Sequence, residues 1–161
     1  MMRRRPISRS GAGSYRLRLS DDEREVLRSL PDQLRQMMAD DDPGLVRLFP
    51  PAYVDDLERD AEYRRYMREE LVNRRLESLS MVEATVGSDR LTEEQLGAWL
   101  KVLNDVRLVI GTSLDVQEDD PEPQLAPDDP KAPMLALYWF LSYLLEAAVE
   151  ALSGSLGPGT D

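Results

Sequence analysis

The residues best placed to do chemistry are arginines that share helical phase with apolar side chains. In the stretch 56–87, Arg64, Arg68 and Arg75 point the same way as Leu57 and Val82 at 100° per residue. In the next helical stretch Arg107 falls between Leu103, Ile110 and Leu114, with Asn104 and Gly111 on its flanks. A guanidinium carried toward an interior needs hydrogen bonds and a counter-charge. The carboxylates available are Glu83 and the pair Glu146 and Glu150, which form a polar stripe with Ser142 on an otherwise apolar final helix. Two chemistries follow. The arginines form an internal salt-bridge network that fixes helix register, or they line an anion or ligand pocket. On phase, Arg107 is expected to be at least half buried against Glu146, Glu150 or Glu83, in the bidentate geometry that guanidinium and carboxylate favour.

Other chemistry is narrowly bounded. The 161 residues include no Cys and no His. That excludes disulfides, zinc and iron–sulfur sites, cysteine nucleophiles and His-dependent triads. Paired acids such as Glu69-Glu70 and Glu93-Glu94 read as solvated faces, since glycosidase-type work needs two carboxylates at a set separation in a cleft. The GAGS run at 11–14 precedes a strand-like segment rather than a helix, so it lacks the context of a phosphate loop. The acidic run 115–130 has no glycine to turn a calcium loop. Neither a catalytic residue nor a metal or other cofactor is expected.

Charge is unevenly spread. Thirty-one acids against 20 bases give −11. Residues 1–18 hold six arginines and no acid, so the remainder is more acidic than the whole. An acidic body repels nucleic acid and anionic membranes. Direct nucleic-acid contact is expected only weakly, through Arg3, Arg4 and Arg5. The most apolar run, Met134 to Leu145, is too short to span a bilayer, and its continuation carries Glu146 and Glu150. With no secretory signal in view, a cytoplasmic location is expected.

The elements that must position these residues are mostly helical. Residues 1–13 read as a mobile basic N-terminus. SYRLRL alternates like a strand, and Gly11-Ala12-Gly13 could turn it back on residues 6–9 as a hairpin. Ser20 with Glu23 forms a capping box for a helix running to about Ala39, kinked or split at Pro31, with Val26, Leu27, Leu30, Leu34, Met37 and Met38 on its apolar face. LVRLF at 45–49 suggests one more turn. Thr92 with Gln95 is a second capping box, opening a helix on which Leu96, Trp99, Leu103, Val106 and Ile110 make a heptad-like seam. The last helix, about 131–152, is apolar almost all round. That marks the most buried helix, or one whose second side packs against another subunit. Trp99, Trp139 and Tyr143 are expected in the core, as are Leu137, Leu141 and Leu144. The fold class is all-α: a bundle of about four main helices with a small N-terminal strand or hairpin, one domain over 14–153 including the acidic loop 115–130, and a flexible tail at 154–161.

Several blocks resemble a known family. LSDDEREVLRSLPDQL, RLFPPAYVDDLERDAEYRRYMREEL, RLESLSMVEATV, LGAWLKVLNDVRLVIGTSLDVQEDD and LYWFLSYLLEAAVEAL together look like the actinobacterial family DUF2017, also called the actinomycete oxidative-stress regulator family. The blocks LFPPAY, DAEYRR and LNDVRLVIGT carry most of the likeness, which covers about residues 14–153. The resemblance implies a cytoplasmic, non-enzymatic regulator of the oxidative-stress response that contacts a sigma factor and transcription machinery. A homodimer is compatible with it. The family's regulation has been tied to redox-active cysteines, and this chain has none. A thiol switch therefore cannot operate here, although partner binding can.

Overall fold

The computed structural model describes residues 5–39, 57–114 and 128–156, the side chains of 57–61, 63, 64, 155 and 156 excepted. Among the described residues there are four helices and a small antiparallel sheet of three strands. In chain order the elements are β1 (Ile7–Gly11), β2 (Ser14–Leu17), α1 (Asp21–Ala39), α2 (Leu57–Thr85), β3 (Arg90–Thr92), α3 (Glu93–Ser113) and α4 (Ala132–Leu156).

The hairpin expected at the start is present. Gly13 sits at φ 68°, in the left-handed region where glycine pays no Cβ penalty, and β1 turns back onto β2 there. Ile7 pairs with Leu17 and Tyr15 with Leu91, and these four apolar side chains, from all three strands, are buried. The basic N-terminus is thus part of the fold from Ile7 onward, not a free extension to residue 13. Ile7, the one buried side chain of β1, anchors it, and α4 packs against the strand. The third strand was not foreseen. Arg90–Thr92 is too short to show a period of its own and pairs because the turn after α2 delivers it beside β2.

Both capping boxes form. Ser20 Oγ accepts from the Glu23 backbone N–H at 3.1 Å, and the Ser20 N–H donates to Glu23 Oε1 at 2.8 Å. Thr92 and Gln95 repeat the arrangement at 3.1 and 2.8 Å. Pro31 neither splits nor ends α1; it lies buried inside one continuous helix, where its ring joins Leu27, Leu30, Leu34 and Met38 on the core face. Val26 lies outside that face and is exposed. At the start of α4 the Asp129 carboxylate accepts from the Lys131 N–H at 2.8 Å. The helix runs past Gly154, where a stop was expected, to Leu156. The turn expected at 45–49, residues 1–4, the acidic segment 115–127 and the tail 157–161 lie outside the described residues.

The heptad-like seam of α3 is the centre of the molecule. Leu96, Trp99, Leu103, Val106 and Ile110 are all buried, and α3 packs against both α2 and α4. Trp99 is fully enclosed, and its Nε1–H donates at 2.7 Å to Thr85 Oγ1 on α2. That hydroxyl in turn donates to the Met81 carbonyl at 2.7 Å, so the polar atoms in this part of the core are paired.

α4 departs from expectation. Leu141, Leu144 and Ala148 are buried, but Leu137 is only partly so, and Met134, Trp139, Tyr143 and Val149 are exposed. Trp139 and Tyr143 therefore do not belong to the core of this chain: α3 and β1 cover one side of the helix only. Because α4 is continuous, its stretch Ala132–Gly154 is long and apolar enough to cross a bilayer, which Met134–Leu145 alone is not. Cutting the enclosed Leu141 to Ala should cost about 2–5 kcal/mol in chemical denaturation, since its site has little freedom to collapse. A loss under about 1 kcal/mol, the range of tolerant volume-conserving swaps, would show that α4 is not anchored there.

Candidate functional site

Two of the arginines singled out by phase, Arg75 and Arg107, do not line one site. Arg75 on α2 is largely buried and places Nε 3.1 Å from Oδ2 of Asp105 on α3, itself almost fully enclosed. This is the buried ion pair of the molecule's described part, and its acid was not among the expected partners. Asp105 sits on the flank of the α3 seam, one turn from Lys101 and Val109, where an acid reads as an edge position. Only the packing of α2 against that flank takes it out of water.

The expected partners of Arg107 are engaged elsewhere. Glu83 binds Arg35 of α1, which also holds Asp32 at 3.0 Å and Ser80 Oγ at 3.3 Å. The hydrogen bond from Arg35 holds the Glu83 carboxyl below the ordinary carboxylate range. Glu150 lies at the surface, 3.4 Å from Arg5 of the N-terminal segment, and Glu146 is exposed. Arg107 is partly buried and donates from Nη2 to Asn104 Oδ1 at 3.2 Å. No carboxylate pairs with it among the described residues, and its enclosed Nε has no hydrogen-bond acceptor there. The expectation of an Arg107–carboxylate pair is thus corrected: the outward face of α4, not its inner face, carries Glu146 and Glu150. Arg68 lies partly buried on α2, and the side chain of Arg64 is outside the described residues.

A further arginine does what phase assigned to others. Arg24, in the first turns of α1, is only 11% exposed. Its Nη1 donates to the carbonyls of Val86 and Ser88 at 2.7 and 2.8 Å, its Nε to Leu19 at 3.2 Å, and its Nη2 reaches Asp89 at 3.3 Å. Apart from the exposed Asp89 carboxylate, these acceptors are backbone oxygens outside the regular elements, and no side-chain pattern in the sequence marks those.

Two clefts adjoin these groups. One, of about 290 Å³, opens between α2 and α3 and is lined by Arg74, Arg75, Ser78, Lys101, Asn104 and Asp105 over Leu71 and Leu100. It brings together Arg75 and Asn104 from the sequence candidates but not Arg107, Glu83, Glu146 or Glu150. Three cations face one carboxylate, and that carboxylate is the least exposed of the four charged groups. The second, of about 160 Å³, lies between α1, α3 and α4 and is apolar: Leu30, Leu34, Met37, Val106, Val109, Ile110 and Leu137 form its walls, with Gln33, Ser113 and Met134 at the rim. Among the described residues no three acidic side chains converge to hold a metal ion.

Burial pushes the Asp105 carboxyl above its usual range, against the pull of Arg75 and Lys101. A carboxyl that holds its proton more tightly when folded adds stability that is complete below its unfolded pKa. That stability disappears as the pH rises through the raised folded value. At neutral pH the ionised Asp105 is therefore a net cost that Arg75 only partly offsets. Asp105→Asn, whose amide oxygen can still accept from the Arg75 guanidinium, should melt at or above the wild-type temperature at about pH 7, with the difference closing near pH 3–4, the ordinary carboxylate range. Arg75→Ala should lose about 3–5 kcal/mol at neutral pH, because it strands the carboxylate, and less in acid. An Asn variant that melts well below wild type at neutral pH would reverse the sign argued here.

Comparison with known proteins agrees with the likeness seen in the sequence. The family model described as a domain of unknown function, DUF2017, matches residues 2–152. The oxidative stress regulators AosR of Mycobacterium bovis and of two Mycobacterium tuberculosis strains are 31% identical to the chain over 131 residues. The match takes in 71% of this chain and 60% of theirs, so the chain spans about 60% of the length of these curated relatives. No solved structure matches it significantly.

Proposed function

The chain belongs to the DUF2017 family, and from that premise we propose that it is a cytoplasmic, non-enzymatic regulator that acts by binding another protein in oxidative-stress-linked transcription control. The name of the AosR relatives supports the regulatory part. The observation that carries the contact mechanism is the apolar cleft between α1, α3 and α4. A dry cavity of about 150 Å³ accepts one benzene-sized group, so this cleft fits a single aromatic or aliphatic anchor of a partner. Anchors of that kind dominate binding energy when their pocket is desolvated. The sharpest polar chemistry in the chain, Arg75 with Asp105, is by contrast spent on an internal pair. By the family resemblance the partner is a sigma factor or another part of the transcription machinery. With no cysteine, this chain responds to oxidants only through that partner or through its methionines.

The test fills the cleft from its rim. Gln33 is exposed there, and Gln33→Trp should occupy the cavity without disturbing the buried face of α1. Tagged wild-type chain expressed in a host carrying the family should retain a sigma factor or RNA polymerase, and the Trp variant should lose it at unchanged melting temperature. Equal retention by both would remove the cleft from the contact, and no retention by either would remove the partner.

A second reading rests on the cation excess of the α2–α3 cleft, where Arg74, Arg75 and Lys101 outnumber Asp105. A small anion bound there would stabilise the fold by mass action. Millimolar inorganic phosphate should then raise the melting temperature of the wild type but not of Lys101→Ala with Arg74→Ala, at constant ionic strength. An equal rise in both proteins would be a general salt effect.

A further inference from the structure

The outward face of α4 has a regular spacing. Ala132, Ala136, Trp139, Tyr143, Glu146 and Glu150 follow one another at intervals of four, three, four, three and four residues, the a/d spacing of a helix-pairing seam. All but the half-buried Ala132 are exposed, and the two aromatics at the centre are 37% and 42% exposed, one helical turn apart. The opposite face of the same helix is already covered by α3 and β1. The near all-round apolarity of α4 therefore has one face accounted for and one not.

The order of charge along the stripe says what fits it. The N-terminal half is apolar and small, and it begins next to Lys131 and the positive end of the helix dipole. The C-terminal half carries Glu146 and Glu150, and α4 has no basic residue at all. A second copy laid parallel would set Glu146 on Glu146 and Glu150 on Glu150. Laid antiparallel about a two-fold axis midway between Trp139 and Tyr143, the same stripe is its own complement. Trp139 then meets the partner's Tyr143 twice, the stem of Glu146 crosses the partner's small Ala136, and Glu150 reaches the partner's Ala132, beside the exposed Lys131 at the positive end of the helix dipole. Glu150 keeps room for Arg5, its exposed partner at 3.4 Å within the chain. From this register we infer that the outward face of α4 is a homodimer interface, an isologous antiparallel α4–α4 pair centred on Trp139 and Tyr143. This goes beyond the proposed regulatory role and uses a different surface from the anchor cleft.

The absence of native cysteines makes the register directly testable. Purified wild-type chain should sediment as a dimer that dissociates toward monomer somewhere on the order of 1–100 μM, the range of a modest interface. Trp139→Glu should be monomeric throughout while keeping the helical circular-dichroism signal of the wild type, because Trp139 reaches solvent outside the enclosed core. Glu150→Lys should weaken the dimer at least tenfold, and adding Lys131→Glu should recover most of that loss. Under mild oxidant, the double variant Ala136→Cys with Glu146→Cys should link two copies through disulfides, whose Cα atoms must lie within about 7 Å. Ala136→Cys alone should not link. A wild type that stays monomeric at 100 μM, on the same weak-interface scale, overturns the inference. So does a dimer indifferent to Trp139→Glu, or cross-linking by Ala136→Cys alone, which would mark a parallel pair. None of these outcomes bears on partner retention through the α1–α3–α4 cleft, which Gln33→Trp reads separately.

Discussion

The guanidinium of Arg24 is the polar junction between the small sheet, α1 and the turn after α2, beside the apolar packing of the sheet on α3 and α4. It reaches the end of β2 through Leu19, the α2–β3 turn through Val86, Ser88 and Asp89, and it is itself fixed on α1. Apart from the exposed Asp89 carboxylate, each of these oxygens lies just beyond the end of an element, where a backbone carbonyl has lost its regular partner and burial would otherwise leave it unsatisfied. Only arginine offers five N–H groups in a planar fork that can serve acceptors from three segments at once; an ammonium is a single point of charge on a flexible stem. The position of β3 follows from this. With the α2–β3 turn held against α1, the short run Arg90–Thr92 lies beside β2 and closes the sheet, and Thr92 can then cap α3.

Beyond that junction the same requirement, that a charge taken from water find a partner, distributes the other arginines. Arg35 joins α1 to α2 through Glu83, and Arg75 joins α2 to α3 through Asp105. The two pairs differ in kind. Glu83 remains partly in solvent and is held ionised by its hydrogen bond, whereas burial works against the charge on Asp105. The second pair is thus less a source of stability than a register device: α2 can slide along α3 only by exposing the Arg75 charge to an apolar wall and leaving Asp105 alone.

Much of this architecture is legible in the sequence wherever a local rule decides. Ser20/Glu23 and Thr92/Gln95 announce helix starts because a capping box is complete within four residues. The α3 seam reads cleanly because its period is unbroken from Leu96 to Ile110. The candidate site is legible only in part, and for a physical reason. Phase tells which side of a helix a residue occupies but not what stands opposite. Arg75 and Asn104 fall on a shared cleft as phase suggests, yet Asp105 becomes buried only because α2 covers its flank, and Glu83 is claimed by α1 rather than by α3. Arg24 is invisible to pattern because most of its partners are backbone atoms. At Pro31 the unbroken apolar phase is a better guide than the proline: a missing N–H weakens a helix, but an apolar ring on the core face can outweigh the loss, and α1 runs on to Ala39.

α4 shows how composition alone underdetermines the role of a helix. Its length and apolarity satisfy the test for a membrane span, for a central core helix and for an interface helix alike. Where the side chains sit on the wheel separates these roles. A core helix would enclose Trp139 and Tyr143, but both reach solvent while Leu141 and Leu144 between and beyond them do not. A lipid-facing stripe would have to place Glu146 and Glu150 in hydrocarbon, at several kcal/mol for unpaired charges near the centre. An interface helix asks for aromatic anchors at the middle of a face and charges toward its rim. The outward stripe has that order, with Trp139 and Tyr143 at its centre and Glu146 and Glu150 toward one end, and the enclosed face behind it holds the helix rigidly enough to present them.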